Sequence, residues 1–274
     1  MSSSQFLADR PGLRAGLEWI VALTGAILPA VASGAPSSQV VYIGDSHSLG
    51  IVGEVVAQGL RSRPQIDYEF AASGGSAPLQ WINHRFTTPC GYVDSSGLPA
   101  SPPRQCVSQF LTPTFDSLLK VAQSRAPGLS FNHKLAVIVL GTNFSPKPED
   151  HEFQVRAAAT LMIQAHQSGY QCLWFGAPNM LRFRGELIDQ SYAVVEEAKD
   201  RVKSEIGSEG CTIVDSRRLS HYPTQWASTS KPDGIHYDYP APWYHFPEGR
   251  AAGTAWGNAI LERVLQIIGE SLPD

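Results

Sequence analysis

Apolar and polar positions fall into alternating blocks along this chain, and each block predicts an element. Residues 40–43 form a short apolar run that stops at Gly44, as a buried strand does, and residues 48–60 follow with helical spacing. A second strand is expected at 66–72, running into Ser73-Gly74-Gly75-Ser76. Residues 114–124 place Phe115, Leu118, Leu119 and Ala122 on one helix face. The most apolar strand is 135–140, which runs into Gly141-Thr142-Asn143. Helix 152–167, strand 172–175, helix 189–206 and strand 211–214 come after it. Residues 249–268 end the pattern as a helix with apolar positions Ala255, Ala259, Leu261, Val264, Leu265 and Ile268. Strands alternating with helices in this way imply parallel βαβ units and a doubly wound sheet.

Two stretches break the pattern. Residues 78–113 and 217–248 show no regular period and are rich in aromatic and basic side chains, among them Trp81, His84, Arg85, Phe86, Tyr92, Trp226, Trp243, Tyr244, His245 and Phe246. Long irregular insertions often shape a binding site. These aromatics suit stacking on sugar rings, with Trp81 and Trp243 the foremost substrate contacts. They suit equally a satellite core under the loops.

Composition narrows the class. With 43% hydrophobic and 17% charged residues among 274, the chain can bury a sizeable core in one α/β domain. Net charge is -4 with no basic cluster, so no nucleic-acid partner is expected. Residues 1–38 read differently from the rest. Arg10 and Arg14 precede an apolar run at 19–35, interrupted by Pro29 and ending in small residues. This is the pattern of a secretory signal cut near Ala32 or Ala35. A retained amphipathic helix or single anchor is the alternative, and membrane association is expected only then. The working domain is accordingly 39–274.

Four cysteines fit export. Cys90 and Cys106 flank an irregular stretch, while Cys172 and Cys211 each open an expected strand. If those strands are parallel neighbours, the sulfurs lie side by side. Disulfides Cys90–Cys106 and Cys172–Cys211 are therefore expected, contributing about 3 and about 4 kcal/mol through loop entropy. They imply an oxidising compartment, secreted or periplasmic. No Cys/His pair has zinc-ligand spacing, and no metal is expected.

Chemistry concentrates at expected strand ends. Ser46 lies on a strand-to-helix turn, where the helix offers unpaired N–H groups to a developing oxyanion. A serine that only caps the helix reads the same way. Asn143 points an amide at the same rim, unless it simply terminates its strand. Asp233 precedes His236 by three residues, close enough to accept the imidazole Nδ1–H in one turn, although a solvated loop pair has the same spacing.

In order, these blocks are Gly44-Asp45-Ser46-His47-Ser48, Gly74, Gly141-Thr142-Asn143 and Asp233-Gly234-Ile235-His236. Together they resemble the SGNH (GDSL-type) hydrolase family over roughly residues 40–268. The resemblance implies a three-layer α/β/α sandwich around a five-stranded parallel, flavodoxin-like sheet. It implies Ser46 as nucleophile, His236 as general base and acid, and Asp233 as its orienting carboxylate. The oxyanion hole would comprise the Ser46 and Gly74 N–H groups and the Asn143 amide, with no cofactor. Two positions depart from the pattern. Phe144 stands where the family has Asp, and Ala72 where it has Asn, so Gly75 competes with Gly74 for the oxyanion role. His47 is read as a structural or substrate-contact residue, and His245 as a reserve base. The expected function is a serine esterase removing O-acyl, foremost O-acetyl, groups from an extracytoplasmic carbohydrate. A polysaccharide O-acetyltransferase, a lipase or lysophospholipase, and a silent carbohydrate-binding module are the rivals.

Overall fold

The computed structural model describes residues 36–83, 87–88, 92–95, 110–125, 127–182, 185–227, 232–238 and 246–270. The leader at 1–35, Cys90, Cys106, Trp243 and His245 lie outside them. All that follows concerns the unit Ser33–Asp274.

In chain order the elements are β1 (Ser38–Gly44), α1 (Ile51–Arg61), β2 (Ile66–Ser73), α2 (Pro78–Ile82), β3 (Thr87–Thr88), β4 (Tyr92–Asp94), β5 (Phe110–Leu111), α3 (Phe115–Arg125), β6 (His133–Val139), α4 (His151–Gln167), β7 (Gln171–Phe175), α5 (Gly185–Ile206), β8 (Thr212–Val214) and α6 (Pro247–Ile267). The sheet order is β4-β2-β1-β6-β7-β8, and β3 pairs β5 separately. Five strands are parallel, in the flavodoxin-like order that the resemblance implies. The sixth, β4, was not expected from the sequence. It comes from the irregular insertion and runs antiparallel against β2, from Ala71 opposite Asp94 to Ser73 opposite Tyr92.

Strand alternation divides the core in two. β1 turns Val40 and Tyr42 to one face, against α1 and α6 through Val56, Leu60, Trp256 and Ile260. Val41 and Ile43 face the other way, with Phe115, Leu119, Leu161 and Val195 of α3, α4 and α5. β6 does the same with Val137 and Ile138. The result is helices on both sides of one sheet. Each fully buried Val, Leu, Ile or Phe contributes roughly 1.5–3 kcal/mol.

This winding creates the crevice. From β1 the chain turns onto the α1 face, whereas from β6 it turns onto the α4 face. Adjacent strands whose connections leave in opposite directions open a gap at their carboxyl ends. Ser46 follows β1 and Asn143 follows β6.

Two expected elements differ in detail. The helix expected at 48–60 is interrupted. Residues Ser46–Leu49 form a separate 3-10 turn, Gly50 is extended, and α1 starts at Ile51. The Asp238 carbonyl occupies the space beside Gly50, 2.2 Å from where a Cβ would sit. In α6 the buried face is Trp256, Ile260, Leu261, Val264 and Leu265, and Ala255 is exposed. Trp256 and the glycines beside it set the phase that alanine spacing suggested wrongly. Among the described residues no helix is long and apolar enough to cross a membrane.

Candidate active site

Asp45 starts the site. Its backbone N–H reaches Val139 O of β6 at 3.2 Å, and its side chain accepts the His47 N–H at 3.0 Å. That cap winds Ser46–Leu49 into the 3-10 turn. Tyr42 OH and Ser48 Oγ, 2.7 Å apart, lock the turn onto β1 from below. Burial pushes the Asp45 carboxyl up to about 6, although hydrogen bonding from the His47 backbone and the nearby His236 act against it.

Asp233-Gly234-Ile235-His236 closes on itself. One Asp233 oxygen accepts the backbone N–H groups of Ile235 and His236, both at 2.8 Å. The other takes the His236 Nδ1–H at 2.6 Å. Gly234 has φ +81°, a left-handed conformation that glycine adopts without strain. The loop is held from outside by Tyr222, whose hydroxyl accepts from Gly234 N at 3.1 Å and donates to His236 O at 3.2 Å. Arg182 N donates to Gly234 O at 2.9 Å. Burial opposes ionisation of Asp233, but the His236 hydrogen bond and the two backbone donors overcome it and hold the carboxyl below its ordinary range. The same surroundings, burial first and then Asp233, push the Tyr222 hydroxyl up to about 12.

The two loops meet. His236 Nε2 lies 2.9 Å from Ser46 Oγ, across 190 positions of sequence. A carboxylate can only accept, so Asp233 keeps the ring proton on Nδ1 and leaves the Nε2 lone pair toward the hydroxyl. Ser46 is 7% exposed, and the side chains of His236 and Asp233 are 19% and 11% exposed, so the line of three is within reach of the crevice. This arrangement can transfer the hydroxyl proton to the ring and render Oγ nucleophilic.

Around Ser46 the other expected residues take distinct places. Gly74 is buried, whereas Gly75 is exposed and has φ +71°, in a turn closed by Ser76 N and Ser73 O at 3.2 Å. The pair thus divides into a residue on the inner side and one that makes the turn. Asn143 Nδ2 donates to Ser76 O at 3.1 Å, and Ser76 Oγ reaches Gly44 O at 3.4 Å, which ties the ends of β1, β2 and β6 together. An amide has two N–H donors, so one remains for a ligand. Phe144 is half-buried against the α4 side. With Lys147, His151, Gln190 and Val194 it lines a cavity of about 390 Å³ that begins one residue beyond Asn143.

Trp81 requires a correction. It is fully buried in the core with Phe115 and Leu119, and its Nε1–H is satisfied by Ser76 Oγ at 3.1 Å. An indole whose face is packed and whose one donor is used offers nothing to a substrate, and Trp81 belongs to the main core of that sheet face instead of a satellite under the loop. Trp226 remains 40% exposed. Trp243 lies outside the described residues. His47 also differs from a substrate contact. It is 3% exposed and sits against His236, Tyr237 and Trp256, with ring centroids 5.4, 6.0 and 5.4 Å away. Cys172 and Cys211 are joined in a disulfide. The β7–β8 register, Leu173 opposite Thr212, brings the preceding pair face to face. Among the described residues no cluster of His, Cys, Asp or Glu is suited to a metal ion.

No family model matches the chain, and no curated relative matches it. Among solved structures, it overlaps an acetyl xylan esterase from the rumen bacterium Butyrivibrio proteoclasticus at 14% identity and TM-score 0.47, over 86% of this chain and 66% of that one. A member of the lipolytic G-D-S-L family from Veillonella parvula gives 10% identity and TM-score 0.45, over 84% and 98%. An acetyl xylan esterase from Geobacillus stearothermophilus gives 12% and 0.42, over 88% and 99%. Scores this low carry nothing across, so the chemistry has to come from the chain's own residues.

Proposed function

We propose that the chain is an SGNH-type serine esterase that removes O-acyl groups, foremost O-acetyl, from an extracytoplasmic carbohydrate. The unbroken line Asp233–His236–Ser46, at 2.6 and 2.9 Å, carries the reading. Ser46 Oγ attacks the ester carbonyl carbon while its proton passes to His236 Nε2, and the carbonyl electron pair moves onto oxygen. Donors for that oxyanion are the Ser46 and Gly74 N–H groups and the free Asn143 amide hydrogen. Collapse breaks the bond to the sugar oxygen, which leaves with the His236 proton. Water then attacks the acyl-enzyme, giving its proton to His236, and the acid leaves as Ser46 is restored.

Three features support the carbohydrate side. The cavity beside Phe144, whose lining starts one residue after Asn143, joins an aromatic ring to the polar Lys147 and Gln190. Trp226 presents an exposed ring on the loop that leads to Asp233. The Cys172–Cys211 disulfide suits an oxidising compartment, where wall and extracellular polysaccharides are met.

The test is Ser46→Ala. Hydrolysis of p-nitrophenyl acetate and acetate release from an acetylated oligosaccharide are expected to fall at least on the order of 10³-fold, with labelling by a fluorophosphonate lost. Hydrolysis that persists in the variant would remove Ser46 from the chemistry.

A further inference from the structure

His47 is an anomaly of burial. The ring is 3% exposed, yet neither Nδ1 nor Nε2 has a hydrogen-bond partner. A buried polar group left unpaired is unfavourable, and a phenylalanine or leucine would fill the same space without that cost. Burial, with the nearby His236 second, holds its pKa well below the usual histidine range, so the ring is neutral. A neutral, unpaired imidazole at this depth has to be explained by its shape or by its neighbours.

The neighbours point to His236. Both nitrogens of that ring are engaged, Nδ1 with Asp233 at 2.6 Å and Nε2 with Ser46 at 2.9 Å. Those bonds address the two edges of the imidazole, whereas its face meets the ring of His47. His47 stands against it at 5.4 Å between centroids and 47° between planes, and is itself backed edge-on by Trp256 at 5.4 Å and 74°. Tyr237 meets it at 6.0 Å and 60°. Trp256 is fully buried in α6, so the backing is part of the core. When His236 takes the Ser46 proton it becomes a cation, and a neutral aromatic neighbour does not repel it.

We propose that His47 is a positioning residue whose uncharged ring is the wall that keeps the His236 imidazole in line between Asp233 and Ser46. The inference rests on the esterase reading, and its experiment separates the two. His47→Ala and His47→Phe are compared with the unaltered protein in p-nitrophenyl acetate kinetics, in the rate of fluorophosphonate labelling, and in melting temperature. His47→Ala is expected to lower kcat and the labelling rate about 10- to 100-fold with KM within about twofold, since small misplacements of a catalytic group cost that much. His47→Phe restores the flat wall. It is expected to recover kcat to within about threefold and to melt higher than the unaltered protein, because two unpaired nitrogens are gone. A kcat in His47→Ala equal to that of the unaltered protein overturns the inference. So does His47→Phe as slow as His47→Ala, which would transfer the role to the ring nitrogens. If His47→Ala does not fold, His47→Leu replaces it with the same expectation and the same overturning results. An unaltered protein inert to both reagents overturns the esterase reading itself.

Discussion

At the scale of single residues, two acids are shifted in opposite directions by the balance between burial and hydrogen bonding. Asp233 accepts two backbone N–H groups and the His236 ring, and is held low. Asp45 is fully enclosed, and burial outweighs the His47 and Thr142 hydrogen bonds and raises it from 3.8 to about 6. Between those two pH values the native protein holds a proton that the unfolded chain has released. The protonated acid therefore favours folding below about pH 4, and this advantage is lost as pH rises through about 6. The difference amounts to about 3 kcal/mol. Asp45→Asn keeps an oxygen for the His47 N–H and cannot ionise. Its melting temperature relative to the unaltered protein is expected to rise between pH 4 and pH 8, measured by calorimetry at both. A constant difference across that range would mean that the Asp45 carboxyl does not titrate there. Asp45 also illustrates what a motif conceals: Gly-Asp-Ser marks the turn, but nothing in the string tells which of its polar residues is dry.

At the scale of elements, the nucleophile turn is built by conflict between neighbours. A helix running unbroken through 48–60 satisfies periodicity, yet the Asp238 carbonyl presses on Gly50 and the Ser48 carbonyl folds over Gly53. A Cβ at Gly53 would lie 1.9 Å from Ser48 O. Replacing a helical glycine with alanine normally stabilises by about 1 kcal/mol. Here the sign reverses. Gly53→Ala is expected to destabilise by about 1–3 kcal/mol, as overpacking does, and to slow labelling of Ser46 because the backbone that moves is the turn itself. Chemical denaturation and the labelling rate check both parts, and a more stable variant would show that the turn can yield freely.

For the molecule as a whole, the Cys172–Cys211 bond joins β7 to the last strand of the sheet. β8 is only three residues long and, among the described residues, pairs only with β7. Short edge strands hold weakly by hydrogen bonds alone. Removing the bond in a Cys172→Ser/Cys211→Ser double variant is expected to lower unfolding free energy by about 4 kcal/mol, read from urea denaturation. Equal midpoints for the two proteins would show that the α5 packing alone secures β8.

Much of this molecule could be read from its residues in order. Apolar runs located the five parallel strands, and their alternation with helices implied the winding, because burial on both faces of a strand is a local property of its side chains. The same strand reading placed Cys172 beside Cys211, since parallel register carries one strand's start to the next. The pairing of Ser46 with His236 was legible only through the resemblance to the SGNH family, because a lone Asp233-Gly234-Ile235-His236 reads equally as a solvated loop pair. Other features depend on partners far away in the chain, and no period records them. Trp81 is covered by α3, Gly50 is forced open by Asp238, α6 turns its Trp256 face inward, and β4 is recruited from an irregular insertion to extend β2. His47 belongs with these. Its place beside the nucleophile was plain from the string, but its lack of partners, and hence its value as a wall, arises only where α6 closes over it.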